Sequence, residues 1–482
     1  MNKNIKKKTM EALLESICKE YGEGTAIVQE DVKVSYKELY KKVKSLASAF
    51  QCSELMGKYI DLSPKLSLEW ICVYLALNVA GITVVLHEPG FNVSEHICEN
   101  VLNADALSLF EYYKDFDSSK EETSYVSEDT ISTVIFTSGT SGKKKGVMLT
   151  QKNIISDVIL ASEKVAPGLL HVGDRTIPML PPFHMFGITA SILTSLYMGI
   201  IMHIINNVRS AVNYFPVIKP KILYVVPMIC KSLLNRAEIL RNKGLTFEII
   251  KKEFFGDVSV ILTGGAPISK EMEVEYEKYG IKIFNGYGIT ECSPIITTSC
   301  LSDYNKYSVG NVSDLIGAEV RIIDGQVHVS GDIVMKGYYG DVENPFIEVD
   351  GRKWFNTRDK GRITDEGLLI IEGRQTNLII LDDGNNIMPE ELEVLFEGFE
   401  IIQDTMVYVD ESNDSKRLSI AIVPTVKAMD IPENELTDII NSIVAKVNSS
   451  IPIYKQLRKI NIRKNDFVRT SLNKIIRADV NY

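Results

Sequence analysis

Directly after the apolar run ISTVIF, the chain reads Thr137-Ser138-Gly139-Thr140-Ser141-Gly142-Lys143-Lys144-Lys145-Gly146. Hydroxyls and glycines at this density give a loop with exposed N–H donors, and the lysines add positive charge, a combination that suits a polyphosphate. A Walker A loop requires GxxxxGK[ST], which this segment does not satisfy. On its own residues the loop stays open between a phosphate cradle and an ordinary solvated turn. Two more glycine-rich turns close apolar runs: Gly264-Gly265-Ala266-Pro267 after VSVILT, and Asn285-Gly286-Tyr287-Gly288 after IKIF. In open α/β sheets ligands collect at the carboxyl ends of strands, so the three turns are expected to share one cleft.

Such a cleft needs layered sheets and helices around it. From about Asp129, β-rich runs (STVIFT, KILYVV, VSVILT, IKIFN) alternate with helix-like segments (KSLLNRAEILRNK, SKEMEVEYEKYG), which predicts α/β layers with substantial parallel sheet. The stretch WICVYLALNVAGITVVL, residues 70–86, falls short of a membrane span and is divided by Asn78 and Gly81. It reads as a buried helix ended by Gly81 and followed by a buried strand. Short strands and turns over residues 318–372 predict a small β subdomain, and a new mixed pattern follows Gly373. That pattern holds a helix at PEELEVLFEGF, strands at DTMVYV and LSIAIVP, and a helix near ELTDIINSIVAKVNSS. The expected fold is α/β: a large N-terminal domain of layered sheets and helices with a small β subdomain, residues 1–373, and a small mobile α+β C-terminal domain, residues 374–482.

Composition agrees with a multidomain globular chain: 482 residues, 45% hydrophobic and 24% charged. A net charge of −10 argues against non-specific nucleic-acid binding, so any polyanion site must be local. The 7 cysteines form no CxxC pair and the 6 histidines no HExxH, so neither a disulfide framework nor a zinc site is expected. The N-terminus runs from a basic start into an amphipathic helix without an apolar signal core, and the expectation is a cytoplasmic protein with no transmembrane segment.

The three turns do not stand alone. In order along the chain come the glycine-rich loop, LPPFHMFG (180–187), LTGGAP (262–267), NGYGITE (285–291), WFNTRDKGRITDEG (354–367), GRQTNLIILDDGNNIMPEELE (373–393) and RTSLNKIIR (469–477). This series resembles the ANL superfamily of adenylating enzymes, which holds acyl-CoA synthetases, peptide-synthetase adenylation domains and luciferases. The resemblance covers nearly the whole chain.

What the resemblance implies is activation of a carboxylic acid by ATP to an acyl-AMP, then transfer to a thiol. Thr137, Ser138, Gly139, Thr140, Ser141, Gly142 and Lys145 would cradle the ATP phosphates. Glu291, with Thr140, would hold Mg²⁺, and Thr290 would offer its hydroxyl to the α-phosphate. Gly265, Ala266, Pro267, Asn285, Gly286, Tyr287 and Gly288 would line the adenine slot, and Asp359 and Arg374 would take the ribose. Lys474 would reach the α-phosphate and the carboxylate in the first step, Asn377 would be the hinge, and Gly384, Asn385 and Asn386 would turn toward the thiol tunnel. Charge builds at phosphorus during adenylation, so cations and donors aimed there should supply most of the rate.

His184 stands where amino-acid-activating relatives carry an aspartate for the substrate ammonium. A buried ammonium without a counter-charge is costly, so the substrate is expected to be an acid lacking an α-amino group. The segments around residues 378–393 and 451–463 look most like bacterial medium- or long-chain fatty acyl-CoA synthetases. The expected thiol is coenzyme A. The basic run from Lys455 to Arg477 suits its phosphates, and equally suits an acidic carrier protein bearing phosphopantetheine. The chain departs from the family at Lys144 (usually proline), Arg358 (glycine), Asn473 (glycine) and Asn377 (aspartate or lysine). Arg358 has two fates: outward, leaving Asp359 free, or folded onto Asp359 in competition with the nucleotide. The outward fate is expected, and a nucleotide-binding regulator without turnover is the reading that the inward fate would favour.

Overall fold

A computed structural model describes residues 5–97, 100–116, 125–138, 144–165, 167–304, 306, 308–340, 344–374, 377, 379–381, 386–410, 417–469 and 475–477. Two sheets form the bulk of the N-terminal body. The larger runs Thr297–Thr298, Lys282–Tyr287, Val260–Gly264, Ile222–Val225, Arg175–Thr176, Ile201–Ile204, Thr25–Gln29, Val32–Ser35, parallel throughout except at its two antiparallel edges. The second runs Gly337–Tyr338, Lys144–Thr150, Ile131–Ser138, Thr83–Leu86, Tyr59–Leu62, Val101–Ala104 and mixes parallel with antiparallel pairs.

The helix Leu68–Val79 shows why these layers close. Ser67 caps its first turn by accepting from the Trp70 N–H at 3.1 Å, and every residue except Glu69 is buried. A helix apolar all round has no solvent face, so it lies inside the body. Asn78 does not break it: the side chain donates to the Tyr74 carbonyl at 2.8 Å, so its amide is satisfied in the core. The chain leaves the helix through Gly81 at φ +79° and enters the strand Thr83–Leu86, as the sequence pattern predicts. Among the described residues no helix is long and apolar enough to cross a membrane.

A third sheet is antiparallel: Ala318–Ile323, Gln326–Gly331, Arg352–Ile363 and Phe346–Val349, with Leu369–Arg374 paired onto Arg352–Ile363. Beyond it, strands Ile402–Asp410, Arg417–Pro424 and Lys459–Ile462 pack with the helix Glu433–Ser449 around a core of their own, which includes Leu418, Ile420, Ile440 and Val444. The segment PEELEVLFEGF gives a shorter element than its pattern suggests, an α-turn Pro389–Glu393 followed by a 3₁₀ turn Val394–Phe396.

Both tryptophans, Trp70 and Trp354, are fully buried in the N-terminal body, so their fluorescence reports that body alone. Leu75→Ala, in the helix Leu68–Val79, is expected to lower its unfolding free energy by about 2–5 kcal/mol, read as a shift in the tryptophan-monitored denaturation midpoint. A change below about 1 kcal/mol would show that this helix is not part of a close-packed core.

Candidate functional site

The strands Arg352–Ile363 and Leu369–Arg374 pair so that Asp359 and Arg374 stand opposite each other. Cross-strand partners are the nearest side-chain neighbours in a sheet, and here the Arg374 Nε lies 2.9 Å from Asp359 Oδ1. The other carboxylate oxygen accepts from the Tyr287 hydroxyl at 2.7 Å, and that hydroxyl is also 3.0 Å from Thr357 Oγ1. Burial first, and then the neighbouring Asp359 carboxylate, hold the Tyr287 hydroxyl above its ordinary pKa, so it stays protonated as a donor. Asp359 is 4% exposed. Arg358 makes no bond to it: the partner is Arg374, and Arg358 is exposed between buried Thr357 and buried Asp359.

Glu291 sits on the 3₁₀ turn Thr290–Cys292, where Met335 N–H donates to its carbonyl at 2.8 Å. The turn is tied down behind by Ser293 Oγ donating to the Ile333 carbonyl at 2.7 Å, and by Ile295 N–H donating to the buried Asp157 Oδ1 at 2.9 Å. The Glu291 carboxylate accepts from the Tyr338 hydroxyl at 2.9 Å. Burial, then Glu291 itself, raise the Tyr338 pKa. Gly288 has no room for a side chain, since a Cβ there would lie 1.7 Å from the Pro294 carbonyl oxygen.

The glycine-rich loop joins two antiparallel strands, with Thr137 opposite Lys145 and Ser138 opposite Lys144. It therefore belongs to a hairpin of the second sheet, whereas the turns after Val260–Gly264 and Lys282–Tyr287 belong to the first. Lys144 pairs with Glu88 and lies 4.5 Å from the Phe91 ring centroid, and Lys145 lies 4.8 Å from that of Tyr338. Gly139, Thr140, Ser141, Gly142 and Lys143 lie outside the described residues.

One cleft of roughly 2920 Å³ lies between the N-terminal body and the C-terminal strands and turns. Its wall includes Thr137, Lys145, Gly265, Ala266, Pro267, Asn285, Gly286, Tyr287, Gly288, Thr290, Glu291, Asp359 and Arg374. His184 joins them from the turn before the π-helix Phe186–Thr194, beside Phe183 at 4.6 Å between ring centroids. From the C-terminal side come Asn377, paired with Glu390, together with Ile475, Ile476 and Arg477. Arg469 and Ile475 form an antiparallel bridge, and Arg477 pairs with Glu393. Asn386 pairs with Ile380 in a two-stranded hairpin. Lys474, Gly384 and Asn385 lie outside the described residues.

Residues 92–339 match the AMP-binding enzyme family, and residues 376–481 match the AMP-binding enzyme C-terminal domain. The chain belongs to the AMP-binding enzyme family. It is 26% identical over 318 residues to the long-chain-fatty-acid–CoA ligase FadD15 of Mycobacterium bovis, covering 58% of this chain and 52% of that one, so it spans about half the length of that relative. It is 26% identical over 483 residues to the 2-succinylbenzoate–CoA ligase of Oceanobacillus iheyensis, covering 94% of this chain and 95% of that one. The fold matches that of the o-succinylbenzoate CoA synthetase of Bacillus subtilis, solved with an acyl-adenylate intermediate, with a TM-score of 0.76, 23% identity and 97% of each chain covered.

Several residues of this AMP-binding enzyme's cleft escape a sequence reading. No spacing marks Tyr338 or Thr357, which touch Glu291 and Tyr287 only through the fold. Asp157 does carry a signal, a carboxylate inside the apolar stripe Ile154, Ile155, Val158 and Ala161. Glu88, on the cleft wall, follows His87, whose Nδ1 is 2.7 Å from the Glu88 carbonyl oxygen and whose Nε2 is 2.8 Å from Asp61 Oδ1. Burial opposes protonation of His87, but the bonds to Asp61 and to the Glu88 carbonyl outweigh it and raise the pKa. The folded state therefore binds the proton more tightly than the unfolded one. The resulting stability is complete below the ordinary value of 6.5 and is lost as pH rises through the folded pKa above it. The parent protein's denaturation midpoint is expected to fall above about pH 6.5, and His87→Gln to flatten that fall. An unchanged slope would show that His87 does not titrate against folding.

Proposed function

We propose that this chain joins a carboxylic acid to coenzyme A through an acyl-adenylate. The observation that carries the reading is the meeting, in one cleft, of the Asp359–Arg374–Tyr287 group with the Glu291 turn, the glycine-rich segments Gly264–Pro267 and Asn285–Gly288, and Thr137 and Lys145. The full-length likeness to a CoA ligase supports it.

In this reading Asp359, a buried acceptor, takes the ribose hydroxyls, with Arg374 beside it. Gly265 to Pro267 and Asn285 to Gly288 admit the flat base because they present backbone and small side chains. Thr137 to Lys145, including Thr140, receive the phosphates, and Thr290 offers its hydroxyl. Glu291 is a hard oxygen donor suited to Mg²⁺, which would neutralise phosphate charge there. A carboxylate oxygen attacks the α-phosphorus, the bond to the β-phosphate oxygen breaks, and pyrophosphate leaves. Lys474 steadies the charge at that step; its neighbours Ile475 and Ile476 lie on the same cleft. The C-terminal domain, from residue 374, then turns about Asn377 and brings Gly384-Asn385-Asn386 to the thiol. Sulfur attacks the acyl carbon, the C–O bond to AMP breaks, and the thiol proton passes to solvent.

Coenzyme A is the acceptor, consistent with the activities in the relatives' names. A second cavity of roughly 680 Å³ in the C-terminal domain, lined by Arg417 and Arg458 beside Ile453 and Tyr454, adds cations suited to its phosphates. The acid lacks an α-amino group, because His184 stands where an ammonium would need a carboxylate. A medium- or long-chain fatty acid is the first reading. An aromatic acid is the second, favoured by the match to a 2-succinylbenzoate ligase over nearly the whole chain.

Pyrophosphate release across fatty, aromatic and α-amino acids, with and without coenzyme A, tests the reading. Fatty or aromatic acids should give release and an acyl thioester; a strong signal with a free α-amino acid would overturn the substrate assignment. Lys474→Ala should impair acyl-AMP synthesis at least about a hundredfold while leaving thioester formation from supplied acyl-AMP far less affected. Equal loss of both steps contradicts the role.

A further inference from the structure

We propose that Arg358 binds the phosphate chain of the nucleotide, as a cation particular to this chain where family members usually carry glycine. This rests on the adenylating reading above. The backbone at Arg358 has φ +62°, a left-handed conformation that glycine adopts freely and a residue with a Cβ adopts only at a steric cost. The surrounding sheet is arranged to hold it. Asn356 Oδ1 accepts from the Arg358 N–H at 2.7 Å while its amide donates to Gln326 Oε1 at 2.9 Å, beside an irregularity in the strand pairing. Strain kept in place at a cleft points to a function for the side chain that causes it.

The side chain is placed accordingly. The antiparallel sheet carries Arg321, Arg352, Arg358, Arg362 and Arg374. Four of these meet a carboxylate: Arg321 with Glu319 and Asp350, Arg352 with Glu319, Arg362 with Glu372, and Arg374 with Asp359. Among the described residues, no hydrogen bond or ion pair engages the Arg358 guanidinium, and Arg358 lines the cleft that also holds Asp359, Glu291 and Tyr338. Its charge is felt at the Tyr338 hydroxyl, and Lys145 lies against the Tyr338 ring. Two cations thus border one stretch of wall, and the five-donor fork of an arginine matches phosphate oxygens.

Calorimetric titration of the full chain and its Arg358→Gln, Arg358→Lys and Arg358→Gly forms with Mg·ATP, adenosine and coenzyme A tests this. Arg358→Gln and Arg358→Gly should weaken Mg·ATP about tenfold and leave adenosine and coenzyme A unchanged, with Arg358→Lys recovering part of the loss. Arg358→Gly should also raise the thermal midpoint, so lost affinity would not reflect lost fold. A selective loss of about threefold or more for Mg·ATP supports the proposal. A smaller loss, a loss shared by adenosine, or a loss confined to coenzyme A overturns it. If the parent protein binds neither ATP nor adenosine, the adenylating reading itself falls; if it binds ATP indifferently to Arg358, only this inference does.

Discussion

A single buried carboxylate ties the cleft together. Asp359 is joined to Arg374 on the last strand before the C-terminal domain and to Tyr287, the last residue of the strand next to the edge of the large sheet. Removing such a group from water is costly unless charge and hydrogen bonds compensate, and here both oxygens are engaged. The pairing register sets Arg374 opposite Asp359 within the small sheet, and the Tyr287 bond ties that sheet to the large one. Glu291 lies four residues beyond Tyr287, on a turn held by Met335, Ser293 and Asp157.

Two separately cored parts border the cleft. The wall is built largely from backbone turns and short side chains, held from behind by Asp157 and Ser293 and braced within the cleft by Tyr338. Preorganised donors act without paying reorganisation during reaction, which suits the phosphate side of an adenylation. The C-terminal side is separately cored, around Leu418, Ile420, Ile440 and Val444, and meets the wall across the cleft. A separate core is what the proposed turn about Asn377 requires of such a unit.

Much of this was legible in the sequence, for definite reasons. The buried helix Leu68–Val79, the strands before the glycine turns and the antiparallel subdomain all follow from apolar periodicity and turn residues. The segment order then pointed to the family and to Asp359, Glu291 and Arg374 as neighbours in one cleft. What was not legible depends on register and on which sheet a strand joins. The glycine turns were expected at the ends of similar strands, yet the first sits on a hairpin of a different sheet. From the sequence, Arg358 is expected to point outward and leave Asp359 free; Asp359 is instead held by Arg374, because no local pattern reveals a cross-strand partner 15 residues away in the chain. Tyr338 reaches Glu291 across 47 residues for the same reason.

The central claim is that a carboxylate oxygen becomes bonded to the α-phosphorus of ATP. Turnover of an acid labelled with ¹⁸O in its carboxylate, with coenzyme A present and the nucleotide product analysed by mass spectrometry, tests it directly. Attack at the α-phosphorus followed by C–O cleavage leaves one carboxylate oxygen on AMP, so AMP should carry one ¹⁸O from each doubly labelled carboxylate. Label appearing in inorganic phosphate with formation of ADP, or AMP free of label while thioester accumulates, would contradict the account.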